Sequence, residues 1–225
     1  MATSDPDKIL PSMLTSALVL GAFAVLAASL LAWTEELTRP YILENERRQL
    51  LERLHELVPA AAHDNDMFHD TITVRDTELL GTAEEITVYR ARMAGHPVAV
   101  ILDCVAPDGY NGPIHLLVGI WANGAVAGVR VLAHRETPGL GDWIETDRSD
   151  WVHAFANRSL ADPPPERWTV KRDGGDFDQF TGATITPRAV TKAVKNALLY
   201  FETHRDELFR EPQTHVRQTG ARNPA

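Results

Sequence analysis

The chain has 225 residues, 44% hydrophobic and 24% charged, which suits one medium-sized globular domain with something added to it. A formal net charge of -9, with no long Lys/Arg block, argues against a nucleic-acid partner held by phosphate neutralisation. One cysteine, Cys104, excludes an intrachain disulfide, a zinc ribbon, a CxxCH haem attachment and a four-cysteine iron–sulfur cluster, and the nine histidines show no HExxH-type spacing.

After a short N-terminal segment, residues 1–8, the stretch 9–33 ("ILPSMLTSALVLGAFAVLAASLLAW") contains no charged residue. As a helix it reaches about 37 Å at about 1.5 Å per residue, enough for a hydrocarbon core of about 30 Å. Trp33 fits an interfacial aromatic. A buried core helix would not be this long and apolar on every side. A cleaved signal peptide finds small residues in "AVLAAS", but "MATSDPDK" is not clearly basic and the apolar run exceeds the usual length. The expectation is a retained transmembrane helix. Charge leaves its orientation open, because long following domains translocate largely regardless of flanking Lys and Arg.

Residues 34–60 predict a connecting helix, with Pro40 in its first turn and Leu43, Leu50, Leu54 and Leu57 at helical spacing. Residues 61–210 predict a soluble domain. "TITV", "EITVYRARM", "PVAVILDCV", "IHLLVGIW" and "AVAGVRVLA" are short and β-branched, and "AGH" and "ANG" between them suit hairpins. "VAVILDCV" is apolar nearly throughout and should be central and covered on both faces, with Cys104 a buried small hydrophobe. A last helix opens at Pro187, carries the stripe Val190, Ala193, Val194, Ala197, Leu198 and Phe201, and ends near Arg210. Residues 211–225 suit a disordered polar tail. The fold class is α+β: an antiparallel sheet with packed helices behind one transmembrane helix.

Two segments exceed their structural duties. "HRETPGLGDW" follows a strand, and its Pro-Gly-x-Gly suits either a plain loop or backbone amides that approach a ligand closely. "DQFTGATITPRAV" holds three hydroxyls where a helix needs one cap, which Thr186 before Pro187 supplies. Thr184 stands just before a helix N-terminus, where an anionic phosphate is favoured; a plain helix start is the alternative.

"TGATIT" preceded by Asp178 resembles the S/T-G-A-T flavinylation motif of the FMN-binding subunits of two related respiratory complexes, the Rnf (Rsx) electron-transport complex and the sodium-pumping NADH:quinone oxidoreductase. "ETPGLG" and "GYNGPI" resemble two further motifs of the same subunits, and length and motif order are most similar to the G-subunit family of the Rnf complex. The resemblance implies FMN joined through its phosphate to Thr184 by a separate flavin transferase that takes it from FAD with magnesium. Asp178, Thr181, Gly182 and Ala183 then serve recognition or packing, and Glu136, Thr137, Gly139, Leu140 and Gly141 form a loop over the flavin. No residue is implied to be catalytic, and no metal site is implied.

It further implies an electron carrier within an ion-translocating ferredoxin–NAD oxidoreductase, not catalytic alone and dependent on the other membrane and peripheral subunits. The location implied is the bacterial inner membrane, single-pass, with a cytoplasmic N-terminus and a periplasmic FMN domain. The alternatives are the equivalent subunit of the quinone-reducing pump and an anchored, non-redox sensor or assembly domain. No acid–base pair or substrate pocket supports a free-standing flavin enzyme.

Overall fold

The computed structural model describes residues 6–210; the start of the N-terminal segment, residues 1–5, and the tail expected at 211–225 lie outside the described residues. The chain divides into two units, up to Leu50 and from Leu51. Helix α1 covers Pro6–Leu57 and runs on through Pro40, which removes one ladder bond without ending it. Part of α1 is long and apolar enough to cross a membrane. Over residues 16–42 the apolar side chains lie bare, Leu20 at 74% and Leu31 at 71% exposure, which the core helix of a globular domain would not show.

The second unit is a five-stranded antiparallel meander in the order β1 (Thr71–Val74), β2 (Ile86–Met93), β3 (His96–Ala106), β4 (Ile114–Trp121) and β5 (Val126–Ala133). The β2–β3 hairpin turns on Ala94 and Gly95, both at positive φ, as a two-residue turn matched to strand twist requires. β3 is covered on both faces, as its unbroken apolar run predicts. Val100, Leu102 and Cys104 pair across β4 with Ile120, Val118 and Leu116 in the main core, where burial pushes the Cys104 thiol upward. On the other face, Gly119 and Gly128 leave room for Leu57, at the end of α1, to sit against the sheet.

Helix α2 (Ile185–Phe209) packs on β3 and β4 through the predicted stripe, and Val190, Val194, Ala197 and Leu198 are all essentially inaccessible. The chain between β5 and α2 forms short 3-10 turns rather than further long helices. Aromatic packing holds it: Phe155 stacks on Phe177 at 4.6 Å, and Trp151 meets Phe155 and Phe180 edge-on at 5.1 and 5.2 Å.

The far end of α2 is clamped by charge. Arg90 donates from Nη1 to the Arg210 carbonyl (2.6 Å) and Arg92 from Nη2 to the Phe209 carbonyl (3.0 Å), placing cations where helix carbonyls are unsatisfied. Both guanidinium groups share the Asp70 carboxylate, which Asn65 also donates to. Alternation in β2 gives no sign of this, because Arg90, at 1% exposure, lies in the core.

Asp103 lies on the sheet face opposite α2. Burial raises its carboxyl above the usual range, with His115 acting the other way, and its charge adds to burial in raising the Tyr89 phenol. A raised carboxyl favours folding most below its unfolded pKa, and that contribution is lost as pH rises through the folded value. Asp103→Asn should therefore raise the thermal midpoint at neutral pH, and the difference should shrink as pH falls toward the ordinary aspartate value of about 4. Equal midpoints at neutral pH would refute this.

Candidate functional site

Three segments meet at the end of the sheet where α2 begins: the β3–β4 loop, the loop after β5 and the turn leading into α2. They enclose a pocket of about 320 Å³ lined by Tyr110, Glu136, Thr137, Leu140, Gly141 and residues 182–186. Its organising group is Glu136, 4% exposed. Its carboxylate accepts from the backbone N–H of Asn111 (2.9 Å) and of Tyr110 (3.3 Å), and from the Thr186 hydroxyl. One buried side chain thus ties both loops to the first turn of α2, and every described contact of its carboxylate donates to it.

The second loop folds back on itself. Leu140 and Gly141 donate to the Thr137 carbonyl, and Thr137 Oγ1 accepts from Asn111 Nδ2 at 3.1 Å. A Cβ on Gly141 would stand 2.8 Å from that of Glu136 and 3.1 Å from Thr186 Oγ1, so the backbone fits there only without a side chain. His134 Nδ1 accepts from the Glu136 N–H (3.0 Å), which leaves Nε2 to donate to Glu145 at 2.8 Å.

The turn before α2 runs Phe180–Ala183, closed by Ala183 N–H to the Phe180 carbonyl, with Gly182 at φ +84° as a type II turn needs in its third position. Thr184 is the N-cap residue, not Thr186. Its backbone is already helical (φ −81°, ψ −26°), and no side-chain hydrogen bond caps α2. The sequence expectation of Thr186 as cap is therefore corrected: α2 starts two residues earlier than Pro187, and Thr186 Oγ1 faces inward to Glu136. The N–H groups of Ile185 and Thr186 keep no intrahelical partner, and Pro187 has none to offer.

Of the residues singled out by sequence, the pocket brings together Glu136, Thr137, Leu140, Gly141, Gly182, Ala183 and Thr184. Gly139 shapes the loop at φ +77° but does not line it. Asp178 and Thr181 face outward; Asp178 pairs with Lys171 Nζ at 2.7 Å, and its carbonyl accepts from Trp151 Nε1. The sequence reading missed Tyr110 and Ile185 as pocket walls and Arg172, whose Nη1 lies 3.5 Å from Thr184 Oγ1. "GYNGPI" carried a signal for the first of these; nothing local marks the others.

A planar aromatic phosphate ester suits this setting. The walls include exposed apolar groups, Tyr110, Leu140 and Ile185, and the floor holds hydroxyls and an uncapped helix N-terminus that favours an anion.

Comparison with known proteins agrees. Residues 109–199 match the FMN-binding domain family, and residues 1–57 match the RnfG N-terminal region. A protein of Shewanella oneidensis, named as the G subunit of an ion-translocating oxidoreductase complex, is 47% identical over 200 residues, covering 89% of this chain and 94% of that protein. Proteins of the same name from Pseudomonas aeruginosa and Vibrio atlanticus are 48% and 46% identical, over 88% and 87% of this chain and 92% and 93% of their own lengths.

Proposed function

This chain belongs to the G-subunit family of ion-translocating oxidoreductase complexes, and from that premise we propose that it is a membrane-anchored electron carrier with FMN covalently held at Thr184. The observation that carries the reading is the position of Thr184: a pocket-lining hydroxyl at an uncapped helix N-terminus, without the capping duty that would otherwise explain it. Thr184 Oγ1 would exchange its proton for the flavin-side phosphoryl group of FAD, AMP leaving, in a reaction performed by a flavin transferase. Asp178 and Thr181 are exposed on the approach to Thr184, where such an enzyme could read them.

The bound flavin would supply reversible one- and two-electron transfer; the chain supplies position and electrostatics. Leu140 and Ile185 offer apolar contact, and Gly141 lets the loop close over the site. Thr137 presents a hydroxyl, and Gly139 and Gly182 set the turns that hold the walls. Glu136 holds the three segments in register. Residues 9–33 would form the span in the bacterial inner membrane, 34–60 the connection and 61–210 the FMN domain. The N-terminus would be cytoplasmic and the FMN domain periplasmic, where a covalent bond prevents loss of the cofactor. Other subunits of the complex would deliver and remove the electrons.

The test is the intact mass of the full chain, produced in membranes with a flavin transferase, beside Thr184→Ala. The expected result is a gain of FMN minus water in the parent alone. A parent without adduct, when the transferase modifies a control substrate, refutes the carrier reading and leaves an anchored sensor or assembly domain. An adduct that survives Thr184→Ala moves the site to another hydroxyl.

A further inference from the structure

Four cations lie between Arg167 and Arg188, and three are matched by carboxylates. Arg167 pairs with Asp176, Lys171 with Asp178, and Arg188 with Asp173 through two bonds of 2.6 and 3.0 Å. Among the described residues Arg172 makes no salt bridge. It is near enough to Asp173 to help hold that carboxyl below its usual range, after the larger effect of Arg188. Its guanidinium instead points at Thr184 Oγ1, at 3.5 Å, the long limit for a hydrogen bond to a neutral hydroxyl.

This placement is built by the backbone around it. The Arg172 N–H donates to Gln179 Oε1 at 3.1 Å, and the Lys171 N–H to the Phe177 carbonyl at 2.7 Å. Gly175 permits the tight return, since a Cβ there would lie 1.9 Å from the Thr169 carbonyl oxygen. The Asp173–Arg188 fork then fastens the Arg172 turn to the first turn of α2. A long, entropically costly side chain is thereby carried over one hydroxyl that is a poor partner for it.

We propose that Arg172 is the phosphate-recognition residue of this site, its guanidinium meeting the charge of the phosphodiester formed at Thr184. The inference rests on the reading of Thr184 as the attachment point. The spacing, at the long limit for a bond to the hydroxyl, leaves room for the non-bridging oxygens of an esterified phosphate, which a guanidinium fork matches in shape and charge. The free N–H groups of Ile185 and Thr186 complete the cradle from the helix side. Arg172 is a positioning residue: it fixes the phosphate and so limits where the attached group can swing.

The experiment compares thermal midpoints of flavin-free and flavin-loaded full-length protein in detergent for the parent, Arg172→Ala and Arg172→Lys, at low and high salt. Flavin-free material comes from expression without the transferase, and loading is verified by intact mass. The flavin-free midpoints should coincide, because Arg172 is exposed. Loading should raise the midpoint of the parent, less that of Arg172→Ala, with Arg172→Lys restoring much of the difference. The increment should shrink with salt only where a cation is present. Equal increments in the parent and Arg172→Ala overturn the proposal. So does a fall in the flavin-free Arg172→Ala midpoint, which marks a structural role, and so does a complete absence of adduct on that variant, which marks transferase recognition instead. A parent that takes up no adduct overturns this proposal and the attachment reading together; a loaded parent with equal increments overturns this one alone.

Discussion

Asp70→Ala should lower the thermal midpoint of the second unit by about 6–20 °C, the equivalent of about 3–5 kcal/mol in a chain of this size. The Asp70 carboxylate is the only acidic partner of both Arg90 and Arg92 among the described residues. Arg90 is 1% exposed, so without Asp70 its charge stays in the core with only the Arg210 carbonyl to face. That is the costly case for a buried ion pair: one partner removed, the other left desolvated. Arg90→Met with Asp70→Asn, which removes the most buried cation with its partner and leaves only Arg92 without its carboxylate, should be milder than Asp70→Ala alone. Glu85→Ala serves as the control. Its partner Arg75 is exposed, and such pairs contribute about 0–1 kcal/mol. An Asp70→Ala midpoint within a degree or two of Glu85→Ala would show that water reaches Arg90 and that the clamp is dispensable.

The second large effect is expected at Glu136. Glu136→Gln keeps the shape of the side chain but turns one oxygen into a donor, and every described contact of the carboxylate already donates to it. At least one buried N–H or hydroxyl then loses its acceptor, at about 1–3 kcal/mol, or roughly 2–12 °C in the midpoint. If FMN is attached at Thr184 as proposed, adduct formation should fall as well, because the loop carrying Leu140 and Gly141 is less firmly tied to the first turn of α2. Thr186→Val removes the opposing hydroxyl. Its effect should add to that of Glu136→Gln less than independently, since the two groups share one bond. Full additivity in the double variant would show that the Glu136–Thr186 contact carries no coupling. Unimpaired adduct formation in Glu136→Gln would confine its role to stability.

Much of this molecule was legible in the chain. The uncharged run 9–33, the five β-branched segments and the stripe from Val190 to Phe201 are patterns within a few turns or a few strand residues, and each lies within a helix or strand of the type it suggests, the run 9–33 as part of one longer helix. β3 was recognisable as central because a strand covered on both faces cannot alternate. The segments "ETPGLG" and "DQFTGAT", which the residues alone left open as a plain loop and a plain helix start and which the family resemblance singled out, supply much of the pocket lining.

The roles of individual polar groups were not legible in the same way. Thr186 looked like a cap because proline follows it, yet capping depends on the backbone angles of the residue before the helix, and Thr184 has already turned helical. Glu136 and Thr186 are 50 residues apart, and no local pattern joins them. Arg90 sits in a strand whose alternation gives no partner for it, while its acceptors come from residues 70 and 210. Arg172 acquires meaning only when the turn at 171–173 is fastened to α2.

The sequence by itself determined which segments are helix, strand and turn and which residues are apolar enough to be buried. Those properties follow from side-chain periodicity, a short-range feature of any chain in water. Tertiary structure decided which charge meets which, where α2 begins in three dimensions and which hydroxyl is left facing the pocket. Hydrogen bonds and ion pairs act over about 3 Å, and only the folded chain brings residues scores of positions apart to that distance.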